Sequence, residues 1–165
     1  KHLEQIASKS NLEVVIIRAP LVYGPGVKAN FLRLMNAVNK GIPMPLRSIT
    51  NKRSFISIYN LISILTACIG NAEAKNKTFF VSDGYDISTT ELAEAIADVM
   101  NKPLRSFYIP SHVLKVGGAL SGRTKLVDSL IESLQVDISF TKEILGWTPE
   151  FSFEESLTKT VKDFL

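Results

Sequence analysis

Cysteine, histidine and concentrated charge are all scarce in this sequence. The single cysteine, Cys68, can form no internal disulfide, and its place in the apolar run Leu61–Ile69 suits a small buried hydrophobe. No Cys/His cluster has metal-ligand spacing, which excludes a zinc centre. His2 and His112 stand in no recognised spacing to a nucleophile and read as surface or capping residues. Nineteen Lys and Arg against sixteen Asp and Glu leave +3, and no basic run exceeds Lys52-Arg53. That balance predicts no nucleic-acid partner and is compatible with a local pocket for a small anion. No apolar stretch reaches the ~20 positions of a membrane-spanning helix, and no signal peptide opens the chain. These absences predict a soluble, cytoplasmic protein without a membrane partner.

Self-contained catalytic machinery is absent as well. No G-x-G-x-x-G follows a strand-like run, and there is no P-loop and no G-x-S-x-G. What is present is apolar mass: 45% of 165 residues are hydrophobic, which suits one domain or a piece of a larger one and excludes disorder over most of the chain.

Lys1–Ser10 reads as the end of a helix with no N-cap before it, which leads to the expectation that the natural start lies upstream. Glu13–Ala19 is a β-branched apolar run closed by Pro20, the pattern of a strand covered on both faces, and Pro20–Gly26 reads as a loop. Phe31, Leu34, Met35 and Val38 predict a helix over Asn30–Asn39, stopped by Gly41. Pro43–Leu46 is a short extended piece and Ser48–Lys52 a polar loop. Ser54–Ile58 alternates as a short strand, and Asn60 is placed to cap the helix Leu61–Ile69. Thr78–Val81 follows as a strand and Asp83-Gly84 as a turn. Ser88 and Glu91 have capping-box spacing ahead of the amphipathic run Leu92–Met100. Arg105–Ile109 reads as a strand, Ser111–Leu120 and Thr124–Ser133 as helices, and Asp137–Leu145 as a short helix ending at Gly146-Trp147. Ser152–Leu165 closes the chain as an amphipathic helix. The class is α/β, with only the first strand deeply buried and the later strands forming a smaller mixed unit.

Two places ask for chemistry. Ligands of open α/β sheets sit beyond the carboxyl ends of strands, so Ala19–Gly26 is a candidate, against the reading of a plain strand-ending loop. Arg53, at the start of Ser54–Ile58, offers a planar fork of donors for a diphosphate, against the reading of a solvated surface arginine. The acidic residues Asp83, Asp86 and Glu91 are accounted for by the turn and the cap.

The segment Ile17-Arg18-Ala19-Pro20-Leu21-Val22-Tyr23-Gly24-Pro25-Gly26 resembles the R-P-x-x-V-Y-G-P-G stretch of extended short-chain dehydrogenases, the NAD-dependent nucleotide-sugar epimerase/dehydratase family. Asn51–Leu61 is similar to that family's R-x-[FY]-[IV]-x-[IV]-x-[DN]-[LV] block. Thr78–Asp83 with Ser88–Leu92, and Val136–Pro149 with its Leu145-Gly146-Trp147, resemble two further blocks in the family's order.

The resemblance implies the C-terminal part of a Rossmann fold. Residues 1–26 would end the NAD-binding domain, and 27–165 would form a small mixed α/β substrate-binding subdomain. NAD would be bound mainly by an N-terminal half that this sequence lacks, together with its glycine-rich loop and Tyr-x-x-x-Lys pair, so the chain alone should be inactive. By resemblance, Ala19 and Pro20 touch the nicotinamide carboxamide and Leu21 faces the sugar, where many epimerases have Asn. Asn30, Phe31 and Arg53 meet the diphosphate, and Pro45 and Leu46 bracket the base. Many epimerases carry an Arg-rich segment where this chain has Ser111–Ser133, with Arg123 as its only arginine. That departure points to the branch associated with O-antigen and capsule sugars. The implied function is binding of a UDP-hexose or UDP-N-acetylhexosamine for 4-epimerisation, dehydration or 4-ketoreduction. The alternatives are a non-catalytic NAD or sugar-nucleotide sensor and a steroid- or flavonoid-type dehydrogenase. Pairing into a homodimer is one way to cover the first strand.

Overall fold

The computed structural model describes residues 13–122 and 124–165, so the helix expected over Lys1–Ser10, with His2, lies outside the described residues. β1 (Ile16–Arg18) pairs in parallel with β4 (Thr78–Phe80), Ile16 opposite Thr78. Pro20 ends β1, but the chain re-enters a ladder at once. Leu21–Tyr23 is β2, parallel to β3 (Arg53–Ser57), with Leu21 opposite Phe55 and Tyr23 opposite Ser57. On its other edge β3 pairs antiparallel with β5 (Asp86–Ile87). Ala19-Pro20 is therefore the step from a two-stranded sheet, β1-β4, to a three-stranded one, β2-β3-β5.

Several expectations change. The segment Pro20–Gly26 holds a strand, because a proline removes a donor only at its own position and leaves the next three residues free to pair. Arg105–Ile109 makes a single bridge, Met44 with Ser106, in place of a strand. The deeply buried strand is β3, not the first: Ser54 to Ser57 are all buried, whereas β1 is half-buried and its Arg18 exposed. β3 has a strand on each edge, and its alternating side chains enter two different cores. Phe55 joins a core with Tyr23, Phe31, Met35, Ile96 and Leu157, while Ile56 joins Ile64, Phe79, Val81 and Trp147.

The helices follow the sequence pattern more closely. α1 (Ala29–Asn39) buries Phe31, Leu34, Met35 and Val38, the residues its spacing singled out. α2 (Ile58–Cys68) starts earlier than expected. Ser57 is its cap, accepting from the Asn60 amide, so Asn60 lies in the first turn with its side chain free for another task. α3 (Thr89–Val99) carries both bonds of the Ser88–Glu91 capping box. α4 (Ser111–Leu120) and α5 (Thr124–Ile131) form a hairpin. α6 (Ser139–Leu145) ends at Gly146, which adopts φ 61°, and α7 (Phe153–Phe164) closes the chain.

Tyr23 and Asp83 join these parts. The Tyr23 ring stacks on Phe31 at 5.5 Å, and its hydroxyl donates to Asp83 Oδ2 at 2.8 Å. Asp83 also accepts from the Ser57 amide at 3.0 Å and from Asn60 Nδ2 at 2.7 Å, so it is a half-buried hub and not simply a turn residue. Burial, then the Asp83 charge, pushes the Tyr23 phenol well above its usual range. Burial also raises the Asp83 carboxyl, against the hydrogen bonds it accepts.

A phenol whose folded pKa is raised contributes stability that is fully present below about pH 10 and is lost as pH rises beyond it. Urea midpoints between about pH 8 and about pH 11 should fall steeply in the parent and less so in Tyr23→Phe, which should cost about 1–3 kcal/mol at neutral pH. An equal alkaline fall in both proteins would locate that sensitivity elsewhere. The helical hairpin offers a second check. A Cβ on Gly118 would lie 2.6 Å from Val127 Cγ2. Gly118→Ala should therefore lower stability by about 1–3 kcal/mol, and Val127→Ala in the same protein should recover part of the loss in urea unfolding.

Candidate functional site

Four of the residues singled out in the sequence converge. Leu21 of β2, Asn30 and Phe31 at the start of α1, and Arg53 at the start of β3 line one cavity of about 50 Å³. Leu34, Phe55, Thr89 and Leu92 contribute to its wall, and Ser129 and Leu130 of α5 close it. The β2–β3 register and the Tyr23–Phe31 stack bring these elements together. The N-cap of α1, Lys28, makes no side-chain capping bond, and the first turn holds no acidic residue, so its amides suit an anion.

Arg53 and Asn30 are both tied to the α5 side of the cavity. Arg53 Nη1 donates to the Ser129 carbonyl at 2.6 Å and to the Glu132 carbonyl at 3.2 Å, and Asn30 Nδ2 donates to Ser129 Oγ at 3.1 Å. Burial pulls the Arg53 guanidinium below its ordinary value, and the charge of Glu132 opposes this. Asn51, in the polar loop before β3, shares the work. Its Nδ2 reaches the carbonyls of Leu130 at 3.1 Å and Glu132 at 3.0 Å, while Thr89 Oγ1 donates to Leu130 at 2.9 Å. Carbonyls at and just beyond the C-terminus of α5 have no partner within the helix, and these side chains supply one. Nothing local marks Asn51 for this role, since its carbonyl partners lie about 80 positions further on.

Two roomier cavities adjoin. One of about 350 Å³ shares Arg53 and is lined by Asp128, Ser129 and residues 132–134. The other, of about 300 Å³, shares Leu21 and follows the loop to Ala29, with Ile58 beside it. That loop lies so close to α2 that a Cβ on Gly24 would meet Ile58 Cγ2 at 2.5 Å, which only glycine avoids.

The remaining candidates lie apart from these three cavities. Leu46 is 1% exposed and belongs to the larger core, its carbonyl accepting from Thr90 Oγ1 at 2.6 Å, and Pro45 is half-buried beside it. Ala19 and Pro20 follow β1. Ile16 and Arg18 make the bonds to the β4 side, at 3.0 Å from Lys77 and 3.2 Å from Val81, so Ile17 and Ala19 turn their backbone groups to the opposite edge. His112 is exposed at the start of α4. Cys68 is half-buried, and burial raises its thiol pKa. Among the described residues no group of His, Cys, Asp and Glu could hold a metal ion.

No family model matches the chain. Over its whole length it is 48% identical to a UDP-glucose 4-epimerase of Vibrio cholerae, covering 51% of that protein. The chain spans about half the length of the curated relatives it matches. Its fold is that of a UDP-glucose 4-epimerase of Thermotoga maritima solved with UDP-glucose, at TM-score 0.72 and 20% identity, over 99% of this chain and 49% of that one. It also matches a UDP-glucuronic acid 4-epimerase of Bacillus cereus solved with NAD, at TM-score 0.73 and 17% identity, over 98% of this chain and 48% of that one. The ordered motif blocks, the full-length identity to the Vibrio protein and the shared α/β architecture agree: over its whole length this chain is similar to one half of the nucleotide-sugar epimerases and dehydratases of the extended short-chain dehydrogenase/reductase family.

Proposed function

We propose that the chain is the substrate-binding part of an NAD-dependent nucleotide-sugar epimerase, dehydratase or 4-ketoreductase, acting on a UDP-hexose or UDP-N-acetylhexosamine. The observation that carries this reading is the convergence of Asn30, Arg53 and the uncapped first turn of α1 on one cavity. A guanidinium fork, an amide donor and helix N-terminal amides suit a diphosphate, and a steroid or flavonoid would leave them unused. The chain of three cavities suits an extended ligand. The nucleotide would lie by Arg53 and residues 128–134, the diphosphate between Arg53 and Asn30, and the sugar beyond Leu21. Leu21 offers the sugar no hydrogen bond, so its contacts there come from backbone and neighbouring groups.

The inner cavity, at about 50 Å³, holds a water or two and not a diphosphate. A diphosphate seated between Asn30 and Arg53 would displace Ser129 and Leu130 outward. Diphosphate oxygens then replace the Ser129 and Glu132 carbonyls as acceptors for Arg53. The exchange favours the ligand, since an anionic phosphate oxygen pairs with the guanidinium in charge and can take both arms of its fork, which a neutral carbonyl cannot.

Residues 1–26 would belong to the NAD-binding domain and 27–165 to the substrate unit. Backbone groups of Ala19, next to Pro20, turned away from β4 offer one donor and one acceptor, which fits a carboxamide. When bound, NAD would supply the hydride acceptor and donor for a sugar carbon. The sequence holds neither a glycine-rich phosphate loop nor a Tyr-x-x-x-Lys, so the chain by itself binds substrate without turning it over. Surface-polysaccharide synthesis in the cytoplasm is the setting this reading implies. Among the described residues no helix is long and apolar enough to cross a membrane.

Calorimetric titration with UDP-GlcNAc tests the site. Arg53→Ala should weaken binding at least about tenfold, as expected for a lost charged hydrogen bond. Arg53→Lys should restore only part of it, because the fork is gone while the charge remains. Asn30→Ala should lower affinity by a few-fold, about 1 kcal/mol. Binding indifferent to Arg53→Ala would place the ligand elsewhere.

A further inference from the structure

Residues 99–127 carry Lys102, Arg105, Lys115, Arg123 and Lys125 and no Asp or Glu, so this stretch is +5 in a chain whose total is +3. The rest of the molecule is therefore net negative. The same stretch holds strongly exposed apolar side chains. Val113, Val116 and Leu120 recur at helical spacing on α4 and are 47%, 58% and 85% exposed, and Tyr108, just before the helix, is 66% exposed. The other face of α4 packs inward, Leu114 against the larger core and Gly118 against Val127 of α5. Lys115 and His112 are exposed on α4 as well.

An apolar stripe alone names no occupant. α2 has one too, Ile62, Leu65 and Ile69, but the helix bears no charged residue and nothing selects what covers it. On α4 the one charged side chain, Lys115, is an exposed cation with no carboxylate on the helix, and Arg123 and Lys125 follow it in sequence. An apolar ridge on a helix without carboxylates complements an anionic lipid surface: the ridge enters the boundary between headgroups and acyl chains, and the cations are drawn to the headgroups. We propose that α4, with the segment leading into it, is a peripheral docking site for an anionic membrane surface. The expectation of no membrane partner rested on the lack of a spanning segment, and a helix lying in the interface needs none. The proposal does not depend on the assignment of the nucleotide-sugar site.

Cosedimentation of the purified protein with phosphatidylcholine vesicles containing about 30% phosphatidylglycerol, and with pure phosphatidylcholine vesicles, tests it. Binding is expected to the anionic vesicles only and should fall with added salt. The double substitution V116D/L120D should weaken it at least about tenfold, and Lys115→Glu several-fold, with unchanged far-UV circular dichroism and urea midpoint. Ile62→Asp on α2 should leave vesicle binding unchanged. Failure to bind anionic vesicles, equal binding to neutral ones, or indifference to V116D/L120D would overturn the proposal. Self-association in light scattering that V116D/L120D abolishes, without vesicle binding, would overturn it by assigning the ridge to a second copy.

Discussion

The half-buried Asp83 carboxylate holds donors from three segments, and most of the site geometry depends on that arrangement. Tyr23 approaches from β2, the Ser57 amide from the end of β3, and Asn60 from the first turn of α2. Asn60 in turn accepts from the amides of Glu150 and Phe151 and donates to the Phe151 carbonyl, which anchors the segment leading into α7. A buried carboxylate is costly without such partners, and each partner would be costly left alone. The network therefore fixes where β2 ends against β3. Through the stack of Tyr23 on Phe31, it also fixes where α1 begins. Asn30 and Arg53, at the near ends of α1 and β3, inherit their separation from it.

The roof of the cavity is held by a different device. The C-terminal end of α5 needs acceptors satisfied, and Asn51, Arg53 and Thr89 donate to its carbonyls. Two of these, Arg53 and Thr89, also line the cavity that α5 covers. A ligand competing for Arg53 thus weakens the hold on the roof while Asn51 and Thr89 retain theirs, so the lid can shift without losing every carbonyl partner at once. A roof held only by apolar packing would give an anion nothing to exchange.

Local chemistry made the helices legible. The Ser88–Glu91 box, the period of Phe31, Leu34, Met35 and Val38, and the left-handed Gly146 are written within a few residues of where they act. The family resemblance likewise singles out Leu21, Asn30, Phe31 and Arg53, which the fold brings to one cavity. What could not be read locally are interactions made across long separations. β2 is three residues between Pro20 and Gly24, and only its pairing with β3 makes it a strand. Asp83 looks like a turn residue until Tyr23, 60 positions earlier, reaches it. Ser57 rather than Asn60 caps α2 because Asn60 is needed by Asp83 and Phe151. For Asp83 and Asn60 a short polar side chain could serve a local or a distant partner, and the fold gives each a distant one.

The α4–α5 hairpin carries two faces, the cavity wall on α5 and the apolar ridge on α4, joined by one close helix contact. Gly118 lets the helices approach so closely that Val127 occupies the space of a Cβ, and packing of that density transmits displacement instead of absorbing it. An outward shift of α5 sufficient to admit a diphosphate would carry α4 and its ridge of Val113, Val116 and Leu120 with it. Any surface that prefers one placement of that ridge must then alter ligand affinity, and the ligand must alter surface affinity by the same factor. The sign follows from which placement the surface favours: a surface that draws α4 outward helps Arg53 exchange its carbonyl acceptors, and one that presses it inward keeps them in place.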